Sequence, residues 1–180
     1  AGLLVSVADV AGKSVPAALL MSNLHAGLRG QAHRPAALGQ VLNELNTLIF
    51  ASTDPGRFIT VAIASIDPAA NRLIYANAGH NPPLVRRRDG AIEPLAESGI
   101  LLGIMAHADY DETETTLAPG ETLVLYTDGV VEAQNPEGEF FGDDRLRALL
   151  AEIDGDGLGA AAIRDRIVER VKSFAGVEGL

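Results

Sequence analysis

The segment Phe58–Ile66 constrains this chain most. It reads Phe-Ile-Thr-Val-Ala-Ile-Ala-Ser-Ile, apolar on both alternating faces. A strand with that pattern is covered on both sides, whereas a half-solvated strand alternates apolar with polar. Asp67 to Asn71 supplies a turn, and Arg72-Leu73-Ile74-Tyr75-Ala76 returns as the hairpin partner. The pattern predicts an antiparallel sheet with further layers packed outside it.

The flanking sequence provides those layers. Leu3-Leu4-Val5-Ser6-Val7-Ala8 reads as a buried strand, with a turn at Asp9-Val10-Ala11-Gly12. Ser14 is placed to cap a helix and Pro16 falls in its first turn. Ala17, Leu20, Met21, Leu24 and Leu28 recur at helical spacing until Gly30 and Pro35. Leu38, Val41, Leu42, Leu45, Leu48 and Ile49 mark a second helix. Asp54-Pro55-Gly56 is a turn signal before the central strand. Beyond Ala76, Leu84-Val85-Arg86 starts another strand and Asp89-Gly90 marks its hairpin. Residues 110–117 read as an exposed strand, and Thr122 to Tyr126 as an apolar one ending at Asp128-Gly129. A helix from Asp143 or Asp144 carries Leu146, Leu149, Leu150 and Ile153, and Asp154 to Gly157 breaks it. A last helix carries Ile163, Ile167, Val168, Val171 and Phe174. The fold class is α+β, read as a single domain over residues 1–180.

Charge and composition exclude several functions. The net charge of −10 repels a nucleic-acid backbone, so no nucleic-acid partner is expected. The chain has no cysteine, which removes thiol catalysis, disulfides and Cys-ligated metal. No apolar run is long enough for a membrane span, so no membrane insertion is expected. The chain starts at Ala1 with no charged region ahead of its first apolar run. It therefore reads as a piece of a longer protein and not as a signal peptide.

Two aspartates share a local design. Asp9 and Asp128 each follow an apolar strand, and a glycine lies close behind each, at Gly12 and Gly129. Carboxylates at the ends of adjacent strands can converge, and hard divalent ions take oxygen ligands from carboxylates, carbonyls and water. Each Asp equally suits a turn or a helix cap. Glu132 suits the first turn of a short helix, where its charge meets the dipole, or a place beside a metal. His80, in Asn77-Ala78-Gly79-His80-Asn81-Pro82-Pro83, reads as part of a rigid turn in which His80 and Asn81 satisfy backbone groups, with a direct catalytic role as the alternative. His25 falls among helical apolar positions, and His33 and His107 read as loop residues. No two histidines lie at i+3 or i+4, so a helical zinc pair is absent. Gly12-Lys13-Ser14 lacks the P-loop's upstream glycine, because Val7 stands there, and a nucleotide site is rejected. No Gly-x-Ser-x-Gly elbow occurs.

Four blocks in order resemble the SpoIIE/RsbU branch of the metal-dependent serine/threonine protein phosphatases, the PPM or protein phosphatase 2C-like type. They are Ala8-Asp9-Val10-Ala11-Gly12-Lys13-Ser14-Val15-Pro16-Ala17-Ala18-Leu19; Arg57-Phe58-Ile59-Thr60; Tyr75-Ala76-Asn77-Ala78-Gly79-His80-Asn81-Pro82-Pro83; and Leu125-Tyr126-Thr127-Asp128-Gly129-Val130-Val131-Glu132-Ala133. Gly142 after Phe140-Phe141 also fits. The resemblance implies an α-β-β-α sandwich, two antiparallel sheets flanked by helices. It implies two Mn²⁺ or Mg²⁺ ions that hold the attacking water for in-line attack on phosphoserine or phosphothreonine. It assigns Asp9 to bridge the ions, the Val10 carbonyl as a neighbouring ligand and Asp128 to one ion. Gly129, Glu132, His80 and Asn81 would stand behind these ligands. The implied partner is a phosphorylated regulatory protein, a STAS-type anti-anti-sigma factor, and the implied location is cytoplasmic. A sensory domain in cis and a homodimer both suit such a protein.

The pattern departs from the family at three places. The family's upstream Gly-Gly-Asp block and its closing Asp-Asp-x-Thr block are not found in these residues, so by the resemblance two flanking strands and at least one metal-ligand carboxylate are missing from them. Ala11 stands where eukaryotic relatives carry a histidine, and no general acid is assigned there. These gaps motivate an alternative: a catalytically incomplete phosphatase-like module that binds the partner without turnover.

Overall fold

A computed structural model describes residues 2–31, 37–53, 56–95, 99–153 and 157–177. The expectations for His33, Pro35, Asp54-Pro55 and Asp154 to Asp156 lie outside the described residues. The chain forms two compact units, Ala1–Pro82 with Ala96–Leu117, and Pro83–Leu95 with Ala118–Leu180.

The first unit is a four-stranded antiparallel sheet in the order β1-β2-β3-β6 with two helices against it. The strands are β1 (Leu3–Val10), β2 (Ile59–Asp67), β3 (Arg72–Ala78) and β6 (Thr113–Thr116). β2 and β3 form the expected hairpin, registered from Val61↔Ala78 to Asp67↔Arg72. Ile59, Val61 and Ile63 pack with leucines of α1 (Ser14–Gln31) and α2 (Leu38–Ser52), joined by Ala8 and Val10. Ala62, Ala64, Leu73 and Tyr75 are buried on the opposite face, so the central strand is covered on both sides as its composition requires.

β1 corrects one expectation. It is the sheet's edge strand, Leu3 and Leu4 are exposed, and it runs on through Asp9 and Val10 instead of turning there. Apolar composition identifies a strand, but burial of its side chains depends on what packs over each face. The 110–117 segment differs too. Only Thr113–Thr116 is strand, and Tyr110 is buried. Ser14 has φ of 71°, outside the extended region that an N-cap adopts.

α2 places Leu38, Val41, Leu42, Leu45 and Ile49 in the core at helical spacing. Its first turn is capped from afar, since the Leu38 N–H donates to the Glu112 carboxylate at 2.5 Å. Buried Asn46 donates to the Met105 carbonyl at 2.9 Å and accepts from the Gly103 N–H at 2.9 Å. That clamp holds a loop whose Leu102 exchanges two backbone bonds with Ile59, the first residue of β2.

Gly39 yields a prediction whose sign depends on packing. Helix propensity alone would make Gly39→Ala stabilising by about 1 kcal/mol. A Cβ there would lie 2.1 Å from the Tyr110 carbonyl oxygen, and a backbone atom yields poorly. Overpacking of this kind costs about 1–3 kcal/mol. The expected result is a lower melting temperature on thermal unfolding; a rise would show that Tyr110 moves aside freely.

The second unit holds a three-stranded antiparallel sheet in the order β5-β4-β7. Its strands are β4 (Leu84–Arg86), β5 (Ile92–Pro94) and β7 (Thr122–Val124). Arg87 pairs with Glu93 at 2.6 Å and Glu121 at 3.0 Å across the sheet. The helices are α3 (Asp128–Val131), α4 (Gly142–Glu152) and α5 (Ala160–Phe174). Leu146, Leu149, Leu150, Ile163 and Ile167 form their core with Leu84 and Val124. Phe141 meets Phe174 edge to face at 5.3 Å, and Arg145 lies over the Phe174 ring. Val168 is exposed, because the apolar stripe of α5 is narrower than its sequence pattern suggests.

Candidate functional site

In the first unit, the sheet register assembles a polar cluster on the face away from the helices. Asp9 is the Cα partner of Thr60, while their neighbours Val10↔Ile59 and Ala8↔Val61 face the helical core. Directly paired residues put their side chains on the same face, so the Asp9 carboxylate and the Thr60 hydroxyl share one side. Thr60 Oγ1 lies 2.7 Å from Nδ1 of His80. His80 is 2% exposed.

Asn77 fixes that histidine. Its side chain donates Nδ2–H to the His80 carbonyl at 2.9 Å and accepts from the His80 N–H at 2.8 Å. Asn77 is itself fully buried at the end of β3. Between them Gly79 takes φ of +67°, and a Cβ there would lie 2.2 Å from the Leu101 side chain, so only glycine suits the turn. Asn77–Pro83 is thus a turn as expected, but the side-chain bonds that hold its backbone come from Asn77. Sequence reasoning passed over Thr60 and Asn77 as site residues. Thr60 stood in the Arg57-Phe58-Ile59-Thr60 block, but its link to Asp9 is a pairing across 51 positions, 60 − 9.

Asp9 itself is exposed at the end of the edge strand, and Val10 is half-buried beside it. Among the described residues Asp9 has no ion pair or side-chain hydrogen bond. Asn81 is half-buried, and His25 and Lys13 are exposed.

In the second unit, Asp128 opens the single turn of α3 and does not end a strand, because β7 stops at Val124. β1 and β7 also belong to different sheets, so the two aspartates do not stand on adjacent strands. The turn is well anchored. Val131 is buried, the Val130 N–H donates to the Thr127 carbonyl at 3.1 Å, and the Glu132 N–H donates to the Asp128 carbonyl at 2.7 Å. Glu132 therefore caps the C-terminal end of this turn, because a four-residue helix has no separate first turn for it. Buried Tyr126 donates its hydroxyl to Asp143 Oδ1 at 3.0 Å, tying the approach to Asp128 onto α4. Burial, then the hydrogen bond and charge of Asp143, push that hydroxyl's pKa well above the usual tyrosine range. Asp128, Gly129 and Glu132 are all exposed.

Each unit by itself offers oxygen donors of the kind hard divalent ions take: the Asp9 carboxylate and the Val10 carbonyl in the first, the Asp128 carboxylate in the second. Among the described residues no group of three or more His, Cys, Asp and Glu is gathered for a metal. Oxygen donors of this kind suit Mg²⁺ or Mn²⁺, which keep several waters and are commonly held by one or two carboxylates.

Comparison with known proteins agrees with the sequence blocks. The family model for stage II sporulation protein E (SpoIIE) matches residues 1–179. The phosphoserine phosphatase RsbU of Bacillus subtilis is 32% identical over 149 residues, covering 82% of this chain and 44% of that protein. The chain thus spans less than half the length of that curated relative. Among solved structures, the SiaA-PP2C domain of Pseudomonas aeruginosa superposes with a TM-score of 0.82 at 23% identity, covering 97% of this chain and 70% of that one. The RsbU and RsbW domains of Rv1364c from Mycobacterium tuberculosis give 0.76 at 26% identity, covering 96% and 48%. The α+β architecture of two antiparallel sheets with flanking helices is therefore that of PP2C phosphatase domains, and the chain belongs to the SpoIIE family.

Proposed function

We propose that this chain is a metal-dependent phosphatase domain that hydrolyses phosphoserine or phosphothreonine on a regulatory protein. One observation carries the reading. The aspartates that the family resemblance marks as metal ligands are both exposed on anchored backbone, and neither carboxylate has an internal partner among the described residues. Both carboxylates are therefore open to a ligand from solvent, as oxygen donors to a hard divalent ion must be.

In this reading Asp9 and the Val10 carbonyl are metal ligands, and Asp128 is a metal ligand as well. The ions would be two Mn²⁺ or Mg²⁺; when bound they lower the pKa of water and neutralise charge on the phosphoryl oxygens. Among the described residues His80 and Asn77 keep the strand ends behind Asp9 in place. Gly129 and Glu132 shape the turn behind Asp128. Asn81 continues the His80 turn at the edge of the first unit.

The names of relatives support the substrate class. RsbU and RsbP of Bacillus subtilis are described as phosphoserine phosphatases, and the Mycobacterium structure holds RsbU and RsbW domains in one chain. A STAS-type anti-anti-sigma factor is the substrate we assign. A SpoIIE match running through both units supports reading residues 1–180 as one domain. Among the described residues no helix is long and apolar enough to cross a membrane. We place the protein in the cytoplasm with its substrate.

The absence of a three-acid cluster among the described residues favours one rival, a binding module without turnover. Hydrolysis of p-nitrophenyl phosphate with and without Mn²⁺, beside Asp128→Asn, separates the two. Mn²⁺-dependent turnover that Asp128→Asn loses is the expected result. Turnover indifferent to Mn²⁺, or unaffected by the substitution, would overturn the metal-dependent reading. No turnover beside intact binding of the phosphorylated partner would favour the rival.

A further inference from the structure

We propose that Thr60 is a positioning residue for Asp9. Its hydroxyl, held from behind by the buried His80 ring, donates to the Asp9 carboxylate when that carboxylate holds an ion. The inference rests on the reading of Asp9 as a metal ligand.

The geometry supplies each part. Thr60 is the direct cross-strand partner of Asp9, on the same face of the sheet. Side chains so paired have Cβ atoms about 4.5–5.5 Å apart, within reach of a hydroxyl–carboxylate bond after one side-chain rotation. Thr60 Oγ1 already meets His80 Nδ1 at 2.7 Å. A threonine hydroxyl has one proton to give and two lone pairs to receive. In the tautomer that carries its proton on Nδ1, the ring donates into Oγ1 and the hydroxyl proton is left for an acceptor on the Asp9 side. The ring has little freedom to turn away, because it is buried and Asn77 grips its main chain on both sides.

The chemistry explains why a buried histidine should stand behind a threonine. A carboxylate on a metal leaves lone pairs that wander unless a donor fixes them. Donors behind metal ligands orient them, and their loss typically weakens metal binding by about 10–100-fold. On the exposed end of an edge strand, Asp9 has no donor of its own among the described residues. Thr60 is the polar side chain that the register brings opposite it.

The test is Mn²⁺ affinity, measured by electron paramagnetic resonance of free Mn²⁺, for the parent, Thr60→Val, Thr60→Ser and Asp9→Asn. Valine keeps the shape and β-branching of threonine but lacks the hydroxyl; serine keeps the hydroxyl and lacks the methyl. The expected result is binding weakened at least about tenfold in Thr60→Val. Thr60→Ser should stay within about threefold of the parent. A merely structural role would penalise serine at least as much as valine, since serine loses packing and strand propensity. If Thr60→Val fails to fold, Thr60→Ala beside Thr60→Ser gives the same contrast. Parent-like affinity in the hydroxyl-free variants, with loss in Asp9→Asn, would overturn this inference alone. Parent-like affinity in Asp9→Asn, or no binding by the parent, would overturn the reading of Asp9 and this inference with it.

Discussion

On the reading of Asp9 as a metal ligand, Asp9→Asn is expected to remove more than about a hundredfold of Mn²⁺-dependent p-nitrophenyl phosphate turnover and to leave thermal stability close to that of the parent. The magnitude follows from the charge. Groups behind a metal ligand are worth about 10–100-fold, so the ligand itself is worth at least as much. Asparagine keeps the size and one oxygen but is neutral, and a hard divalent ion discriminates strongly against that loss. Stability should hold because the side chain is exposed and has no internal partner among the described residues, and surface changes of that kind stay within about 0.5 kcal/mol. The two readouts together decide the role. Lost turnover with an unchanged melting curve makes Asp9 a working residue. A large fall in melting temperature would make it structural, and unchanged turnover would take it out of the site.

Arg86→Met gives the largest expected loss of stability. Arg86 is 6% exposed on β4, and its Nε donates at 3.0 Å to the Leu150 carbonyl. A terminal nitrogen donates to the Ile153 carbonyl. Both acceptors lie at the C-terminal end of α4, where carbonyls lack helical partners and the dipole favours a cation. Methionine matches much of the volume but leaves two buried carbonyls without these donors, at about 1–3 kcal/mol each. Relief from burying a charge offsets part of that. The net loss should be about 2–4 kcal/mol, read as a lower midpoint in urea unfolding followed by circular dichroism. Arg86→Lys should recover little, because a single ammonium lacks the planar fork that reaches two carbonyls. A stability unchanged by Arg86→Met would show that water satisfies the end of α4.

Much of this architecture was legible locally. The two-sided apolar run at Phe58–Ile66, the hairpin turn after it and the stripes of α1, α2, α4 and α5 are carried by neighbours a few positions apart. The buried environments were less legible. Leu3 and Leu4 look like core residues in sequence, yet they lie on an edge strand and are exposed. Arg86 looks like a surface cation, yet it is buried, because its partners are 64 and 67 positions away. Tyr110 reads as part of an exposed strand but packs beside Gly39. In each case the deciding neighbour is distant in sequence, and periodicity carries no information about it.

The candidate site divides in the same way. Sequence by itself determined the residue types and their order: Asp9 before a glycine turn, the Asn77–Pro83 block, and the Asp128-Gly129 pair with Glu132 after it. Chemical type, turn preference and helix periodicity are local properties, so a single chain displays them. Only the tertiary structure decided that Asp9 faces Thr60, that Thr60 reaches His80 and that Asn77 fixes His80 in place. Strand register sets those meetings. It depends on which residues of three strands come level, and a one-residue slip would send each side chain to the opposite face.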